Sequence, residues 1–381
     1  MNKLTAIMMA AAMATASCGD KHSDEPAPGP GKPSEATRTV LVYMVAHNDL
    51  GARGWDNADI TEMRTAASTG SLGGGRLVVM HQSSEGNSML KEITADGTVD
   101  TLKVYDTAEA AVSIARMRRV CDDVREYAPA SAYGLVLWSH GTGWLDNGMA
   151  DSYNAPKRAF GLDGGKQMSV TSLAKALDGQ GFDYVYFDCC HMASVEVAYE
   201  LRHATPVVVG SACELPNAGM PYDENLDMLM KGDAAGAAAN TFRYYNEMAG
   251  SGRTCTMSVI RTDGLDRLAE ATRRVFATAQ PLPEGTMPQA FERTGTCRLF
   301  DFEDYVERIA TDSDALTAWK SALEQSVAYA ASTPTIFSTL KIARHCGLST
   351  FVVQSPADMD NMNYYRLRWA GDVASALPWV Q

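Results

Sequence analysis

Basic side chains are scarce in this sequence relative to acidic ones. The chain of 381 residues has 33 Lys and Arg against 46 Asp and Glu, which gives a formal net charge of −13. A protein that binds nucleic acid needs a basic face to neutralise phosphates, so this balance argues against nucleic acid as a partner. The same acidity is compatible with a basic substrate, although net charge mostly affects solubility.

Cysteine is present, but not in the spacings of a metal site or a disulfide framework. No Cys-x-x-Cys occurs, which argues against a structural zinc site. The scattered positions do not resemble the framework of a small disulfide-stapled domain, so we expect most of these residues to be buried free thiols. We therefore predict no metal or cofactor from the cysteines. The eight positions are Cys18, Cys121, Cys189, Cys190, Cys213, Cys255, Cys297 and Cys346.

The apolar run at the start of the chain is too short to span a bilayer permanently. Lys3 and the run Leu4–Ser17 predict a targeting segment over residues 1–17. The small residues Thr15–Ser17 directly precede Cys18, as in the processing site of a bacterial lipoprotein. An ordinary signal peptide with an incidental cysteine is the alternative. A lipidated Cys18 would become the mature N-terminus and would attach the protein to a membrane.

The next segment is predicted to be a flexible tether, so that residues 18–36 comprise the lipidated cysteine and a linker. Residues 19–36 contain four Pro and three Gly without periodicity. The pair Asp24-Glu25 resembles signals that send lipoproteins to the cell surface in some Gram-negative bacteria. We expect a protein of the cell envelope, lipid-anchored to the outer membrane on its periplasmic or surface-exposed face.

The remaining residues, 37–381, are predicted to form one domain with an α/β fold. Apolar residues make up 46% of the chain, which is enough for a sizeable core. Strands and helices alternate, which favours a mostly parallel central sheet flanked by helices, with helical additions at the C-terminus. The predicted strands are 39–45, 77–80, 133–138, 182–188, 205–211, 256–260 and 349–353, with a hairpin over 87–105. The predicted helices are 57–67, 107–127, 169–179, 263–278 and 302–332, with another directly after Cys190.

Two of the predicted strands end in residues that can carry chemistry. The run Tyr133–Trp138 is followed by His140, and the run Phe182–Asp188 is followed by Cys190. Because neighbouring parallel strands end at the same edge of a sheet, this pattern predicts a nucleophile beside its base. Either residue alone has a plainer interpretation, as a structural histidine or a packed thiol.

Several motifs together resemble the clostripain family of cysteine peptidases, which have a caspase-like fold. A His-Gly-x-Gly-Trp motif combined with Asp-x-Cys and Val-Glu-Val-Ala-Tyr-Glu-Leu is specific to that family. The resemblance spans nearly all of residues 39–350. The matching segments are Thr39–Met44, Asn48–Leu50, Leu137–Trp144, Phe187–Cys190, Ser194–Leu201 and Gly347–Thr350.

This resemblance implies a cysteine endopeptidase that cleaves after Arg or Lys. Cys190 would be the nucleophile and His140 its base, since the thiolate is the reactive form. The backbone N–H groups of Gly141 and Cys190 would stabilise the oxyanion. Asp188 would bind the basic side chain of the substrate in the S1 pocket, where Arg can form two hydrogen bonds. The expected partners are proteins or peptides with Arg or Lys at the cleaved bond.

The sequence departs from the family pattern next to the nucleophile. Cys189 stands where the family usually has Ala, and His191 stands where it usually has Leu. The register with Asp188 favours Cys190, but Cys189 stays an alternative nucleophile. Residues 212–222 lack the family's Gly-Trp, which leaves the subsite preferences open.

The long polar connection at 145–166 is predicted to be the activation loop, because family members are often activated by a cut between the His and Cys strands. Lys157 and Arg158 lie mid-loop and are the expected self-cleavage sites. Calcium dependence is implied only by analogy with some family members, since no Ca²⁺ loop is legible.

The alternative function is an inactive surface lipoprotein that only binds. A third hypothesis is a peptidase that cleaves after Asp. The charge of Asp188 argues against it, because an acidic residue in the S1 pocket would repel an acidic substrate side chain.

Overall fold

The computed structural model describes residues 35–145 and 160–380, and a nine-stranded sheet lies at its centre. The strands in chain order are Thr39–Val45 (β1), Arg76–Gln82 (β2), Ser88–Ile93 (β3), Val99–Val104 (β4), Tyr133–Trp138 (β5), Phe160–Asp163 (β6), Lys166–Met168 (β7), Tyr184–Asp188 (β8), Val207–Gly210 (β9), Thr256–Arg261 (β10), Phe300–Asp301 (β11), Val327–Ser332 (β12), Thr335–Ile336 (β13), Leu340–Lys341 (β14) and Ser349–Thr350 (β15).

The central sheet has the order β12-β10-β9-β8-β5-β1-β2-β3-β4. Its five central strands, from β9 to β2, are parallel, and two antiparallel strands extend it on each side. All seven residues of β1 are buried, as expected for a parallel strand covered on both faces. The predicted α/β fold with helices around the sheet is confirmed.

Helices cover both faces of this sheet. One face packs against α3, α4, α5 and α8, and the other packs against α2, α6 and α7. The helices are Asp49–Ala52 (α1), Trp55–Ser68 (α2), Ile114–Tyr127 (α3), Val170–Leu177 (α4), Val195–Leu201 (α5), Tyr222–Met230 (α6), Ala234–Asn246 (α7), Leu265–Ala277 (α8), Phe302–Ile309 (α9), Ser313–Ser326 (α10), Pro356–Asp360 (α11) and Arg368–Asp372 (α12), with 3₁₀ turns at Gly250–Gly252, Thr262–Gly264, Asn361–Arg366 and Ala374–Ala376.

Several helices begin where a serine side chain caps the first turn. The hydroxyl groups of Ser113, Ser169 and Ser194 accept a hydrogen bond from the backbone N–H three residues later. Such a bond satisfies one of the N–H groups that the first turn of a helix leaves unpaired. The helix expected over 107–127 therefore begins only at Ile114.

Two predictions in the C-terminal region are wrong. The helix expected over 302–332 is interrupted after Ile309, and its last six residues form β12 at the edge of the sheet. Pairing with β10 decides this, because the Ala-rich sequence Val327–Ser332 has no strong strand preference of its own. The strand expected over 349–353 is limited to the two residues of β15.

Some sequence-based interpretations cannot be compared with the structure. Cys18, Lys157 and Arg158 lie outside the described residues.

The connection at 145–166 contains β6 and most of its hairpin with β7, which the sequence did not predict. Among residues 35–145 and 160–380, no helix combines the length and the hydrophobicity needed to cross a bilayer.

Candidate functional site

The sheet brings His140 and Cys190 to the same edge. Strands β5 and β8 pair in parallel, with Trp138 directly opposite Asp188. His140 and Cys190 each follow two residues later, so the two chain segments leave the sheet side by side. Both residues line a small pocket of about 40 Å³, and Asp188 lines it as well. The structure therefore places all three side chains around one pocket.

The Cys190 thiol lies against the turn that follows β9. Its Sγ accepts a hydrogen bond from Leu215 N at 3.4 Å. Burial raises the pKa of the thiol to about 11, the Leu215 N–H opposes this shift, and the charges of Glu214 and Asp188 add to it. The thiol is thus in its neutral form at pH 7, and a base is needed to ionise it.

The adjacent Cys189 points into the core. Its side chain is buried, and its Sγ donates a hydrogen bond to Leu137 O at 3.0 Å. It belongs to the apolar cluster on one face of the sheet, whereas Cys190 packs against the cluster on the other face. Burial raises the pKa of the Cys189 thiol well above its ordinary value. This environment favours Cys190 over Cys189 as the reactive thiol.

His140 is partly exposed and contacts an acidic residue that sequence reasoning did not single out. Its Nε2 lies 2.6 Å from Asp49 Oδ1, at the start of α1. Among the described residues, no hydrogen bond joins His140 to Cys190. The signal for Asp49 was available, because it belongs to the Asn48–Leu50 motif quoted above.

Gly141 allows the two strand ends to approach closely. A Cβ atom at this position would lie 2.5 Å from Cys190 O and 2.8 Å from Cys189 Cβ, so no side chain fits. The Gly141 backbone therefore packs directly on that of Cys190.

Asp188 lies beneath the pocket, where it is buried and held by two donors. Met220 N donates to Oδ1 at 3.0 Å, and the Tyr222 hydroxyl donates to Oδ2 at 3.1 Å. Burial raises the pKa of this carboxyl, and the two donors oppose the shift. Among the described residues, no Lys, Arg or His side chain forms an ion pair with it. A substrate cation would supply the missing opposite charge.

A second buried carboxyl, Asp59 on α2, lies on the same side of the sheet as Asp188. Its Oδ2 accepts a hydrogen bond from Trp138 Nε1 at 2.5 Å, and Trp138 is the cross-strand neighbour of Asp188. Burial, and next repulsion from Asp188, raise the pKa of Asp59. Sequence reasoning missed this residue, and no motif marks it.

His191 and Cys213 lie where the end of β8 contacts the turn after β9. His191 has φ of 61°, in the left-handed region, and its ring nitrogen Nδ1 lies 3.2 Å from Ala212 O. Its backbone N–H donates to Cys213 O. Cys213 is fully buried. Both residues join the end of β8 to the turn after β9.

Side chains that commonly bind metal ions do not cluster in the described part of the chain. The described residues contain no group of three or more His, Cys, Asp and Glu side chains that could hold a metal ion.

Comparison with known proteins gives one family match. The model of the clostripain family matches residues 42–365. An inactive zymogen C11 protease from Parabacteroides distasonis is 30% identical and covers 90% of this chain and 99% of its own, with a TM-score of 0.76. No curated protein sequence matches the chain.

Two further solved structures are similar. A secreted C11 cysteine protease from Bacteroides thetaiotaomicron, in complex with an irreversible peptide inhibitor, is 26% identical. It covers 88% of this chain and 99% of its own, with a TM-score of 0.75. The protease called iotapain, from the same organism, is 23% identical and shows the fold alone. It covers 89% of this chain and 100% of its own, with a TM-score of 0.78.

Proposed function

Because the chain belongs to the clostripain family of cysteine peptidases, we propose that it is an endopeptidase that cleaves peptides after Arg or Lys. Cys190 is the nucleophile, His140 is the base and Asp188 selects the basic side chain. The observation that carries this proposal is the buried Asp188 carboxyl, which lines the same pocket as Cys190 and His140. A carboxylate in that position attracts Arg and Lys and repels Asp.

The chemistry follows from the two side chains and the adjacent backbone. His140 takes the proton from Cys190 Sγ, and the thiolate attacks the carbonyl carbon, which forms the S–C bond and moves the C=O π electrons onto oxygen. The N–H groups of Gly141 and Cys190 stabilise that oxyanion. Collapse breaks the C–N bond, and the imidazolium gives its proton to the leaving amine. Water then cleaves the thioester, which releases the acid and restores the thiol.

The small size of the pocket is consistent with activation by self-cleavage. Its volume is about 40 Å³, and Leu215 and Gly219 of the turn after β9 line it together with Cys190. The connection with Lys157 and Arg158 rejoins the described chain at Phe160, and Gly161 N donates to His140 O at 3.0 Å. A cut after Lys157 or Arg158 would thus free a segment that leads directly to the site.

The Parabacteroides relative, described as an inactive zymogen, is consistent with this interpretation. Mass spectrometry of the purified chain would give the cut position. We expect fragments that end at Lys157 or Arg158, and no processing when both are replaced by Gln. Lys166→Gln is the control, because Lys166 follows the loop in the β6–β7 hairpin. A fully active uncut chain, or a cut elsewhere, would refute the proposed activation.

Fluorogenic peptides that end in Arg, Lys, Gln or Asp would test the activity itself. We expect hydrolysis after Arg and Lys, and a loss on the order of 10³-fold or more in Cys190→Ala. Asp188→Asn should lower kcat/KM for Arg and Lys by about 10²-fold and change the value for Gln little. Absence of all hydrolysis after complete processing would favour the binding-module alternative, and cleavage after Asp would favour caspase-like specificity.

Membrane attachment through a lipid on Cys18 is a separate part of the proposal. It is supported by the small residues before Cys18 and by the Pro- and Gly-rich segment after it. The Cys18→Ala chain should move from the membrane fraction to the soluble fraction of cells. An unchanged distribution would argue for an ordinary signal peptide instead.

A further inference from the structure

The contact between Asp49 and His140 is short, although both residues are solvent-accessible. Asp49 Oδ1 lies 2.6 Å from His140 Nε2, and the two side chains are 57% and 34% exposed. An ion pair this exposed contributes little to folding stability. The significance of the Asp49–His140 contact therefore lies in its effect on the imidazole ring.

Asn48 holds the backbone next to Asp49 in a fixed position. Its Oδ1 caps α1 by accepting from Leu50 N at 2.9 Å. Its Nδ2 donates to Val45 O and to Leu162 O, both at 2.9 Å, and lies 3.3 Å from Ser139 Oγ. One side chain thus ties together the ends of β1, β5 and β6.

Close packing beneath α1 adds to this restraint. A Cβ atom on Gly51 would lie only 1.9 Å from Ala46 O, so α1 rests directly on the backbone at the end of β1. The first turn of α1 cannot shift without moving the sheet. It therefore holds the Asp49 backbone at a set place beside the His140 ring.

Asp49 occupies one of the two ring nitrogens of His140. Because Nε2 contacts Asp49, Nδ1 is the nitrogen left to take the proton of the Cys190 thiol. A carboxylate at Nε2 keeps a proton on that nitrogen, fixes the ring orientation and stabilises the imidazolium that forms when the thiol proton arrives.

We propose that Asp49 is a positioning residue for His140, which makes the working unit of this peptidase Cys190, His140 and Asp49. This inference rests on the proposed roles of His140 and Cys190. Other titratable groups around this corner are Cys189 and Asp188 in the pocket, Glu214, whose charge acts on Cys190, and the His47–Asp163 pair at 2.9 Å, which joins the end of β1 to β6. Among the described residues, only Asp49 forms an ion pair with His140.

The test compares Asp49→Asn and Asp49→Ala with the wild-type chain, with rates normalised to the amount of processed protein. Removing the carboxylate should lower kcat by about 10–100-fold and leave KM for a peptide ending in Arg within about threefold. Asn can donate to Nε2 and would then leave the proton on Nδ1, the wrong tautomer for a base.

Asp266→Asn is the matched control. Asp266 also lies in the first turn of a helix and pairs with a cation, Arg202 at 2.7 Å, while 67% exposed. It should change neither kcat nor KM. Thermal unfolding and labelling of Cys190 with iodoacetamide would show that each variant is folded with its thiol accessible.

The outcomes separate the two proposals. If wild type cleaves after Arg and Asp49→Asn keeps its kcat within twofold, Asp49 does not position His140, although the proposed peptidase activity stands. A rise in kcat would show that the contact is inhibitory, which also overturns the inference. If wild type hydrolyses no peptide, the proposed function fails and this inference fails with it.

Discussion

At the scale of single residues, the site is distinguished by buried carboxyls that lack a cation. Asp56 and Asp59 lie one turn apart on α2 and are both buried. Asp56 Oδ2 lies 2.8 Å from His81 Nε2, and Lys91 Nζ lies 3.0 Å from the other nitrogen of that ring. Asp59 has only the Trp138 indole N–H among the described residues. Of these two carboxyls, the fold thus leaves without a cationic partner the one that lies on the same side of the sheet as Asp188.

Asp59→Asn should stabilise the protein at high pH. A carboxyl whose pKa is raised by folding contributes stability below its unfolded pKa of about 3.9, and that contribution is lost as the pH rises through the folded pKa. Asn stays neutral and keeps an acceptor for Trp138. In the Cys190→Ala background, which prevents self-cleavage, we expect urea unfolding to show a gain of about 1–3 kcal/mol at pH 8 that disappears near pH 4.

Asp123→Asn is the control for this experiment. Asp123 is equally a buried carboxyl, but it accepts from Lys103 Nζ at 2.6 Å and from the Tyr105 hydroxyl at 2.9 Å. Loss of that ion pair should destabilise the protein at pH 8. Equal stability of Asp59→Asn and its parent at pH 8 would show that folding does not raise the pKa of Asp59.

The site residues that could be recognised in the sequence stand at strand ends, whereas the one that could not depends on a long-range contact. His140, Asp188 and Cys190 could be found because each stands at the end of an apolar run, and strand ends share an edge. Asp59 could not be found, because its burial depends on the contact of α2 with Trp138, 79 residues away. Nothing in the spacing of α2 encodes that contact.

At the scale of elements, strands covered on both faces were predictable and edge elements were not. The strands β1, β5 and β8 are nearly continuous apolar runs, because helices cover both of their faces. Strand β12 alternates between exposed and half-buried positions and exists through its pairing with β10. Helix α6 was missed although Pro221 precedes it and acidic residues fill its first turn, which are ordinary start signals.

The turn between β9 and α6 makes the floor of the pocket, and Gly219 is its tightest point. Gly219 has φ of 60°. A Cβ atom on it would lie 2.7 Å from Asp188 Oδ2 and 2.8 Å from Oδ1. A side chain here would therefore strain the backbone and displace the carboxyl that we propose as the selector.

Gly219→Ala should lower both stability and activity. The left-handed conformation costs a non-glycine residue roughly 1–2 kcal/mol, and the clash with Asp188 adds to this. We expect kcat/KM for peptides ending in Arg to fall at least about tenfold, since small displacements in a site are costly. Gly179→Ala isolates the conformational cost, because Gly179 has φ of 72° with nothing within 4 Å. The same activity in both variants would show that Gly219 does not position Asp188.

At the scale of the whole molecule, the C-terminal segments close onto the helix that follows the nucleophile. Glu196 on α5 is fully buried, and its Oε1 accepts from Thr350 Oγ1 at 3.0 Å, from Phe351 N at 2.9 Å and from the Tyr364 hydroxyl at 3.1 Å. Phe351 and Tyr364 also pack on Trp144, just after His140. The motifs reveal Glu196 and Trp144 separately, but not that one C-terminal region joins them.

This junction should make the stability of the whole fold depend on pH. Burial raises the pKa of Glu196, and its Oε2 has no hydrogen-bond partner among the described residues. Its contribution to stability is therefore lost as the pH rises above its unfolded value of about 4.3. Glu196→Gln keeps an acceptor for all three donors and is neutral, so its stability relative to the Cys190→Ala parent should rise as the pH rises above about 4.3. Glu196→Ala leaves the three donors without an acceptor and should cost about 2–4 kcal/mol at pH 5 and at pH 8. A pH-independent difference between Gln and parent in urea unfolding would show that Glu196 is not the group that couples this junction to pH.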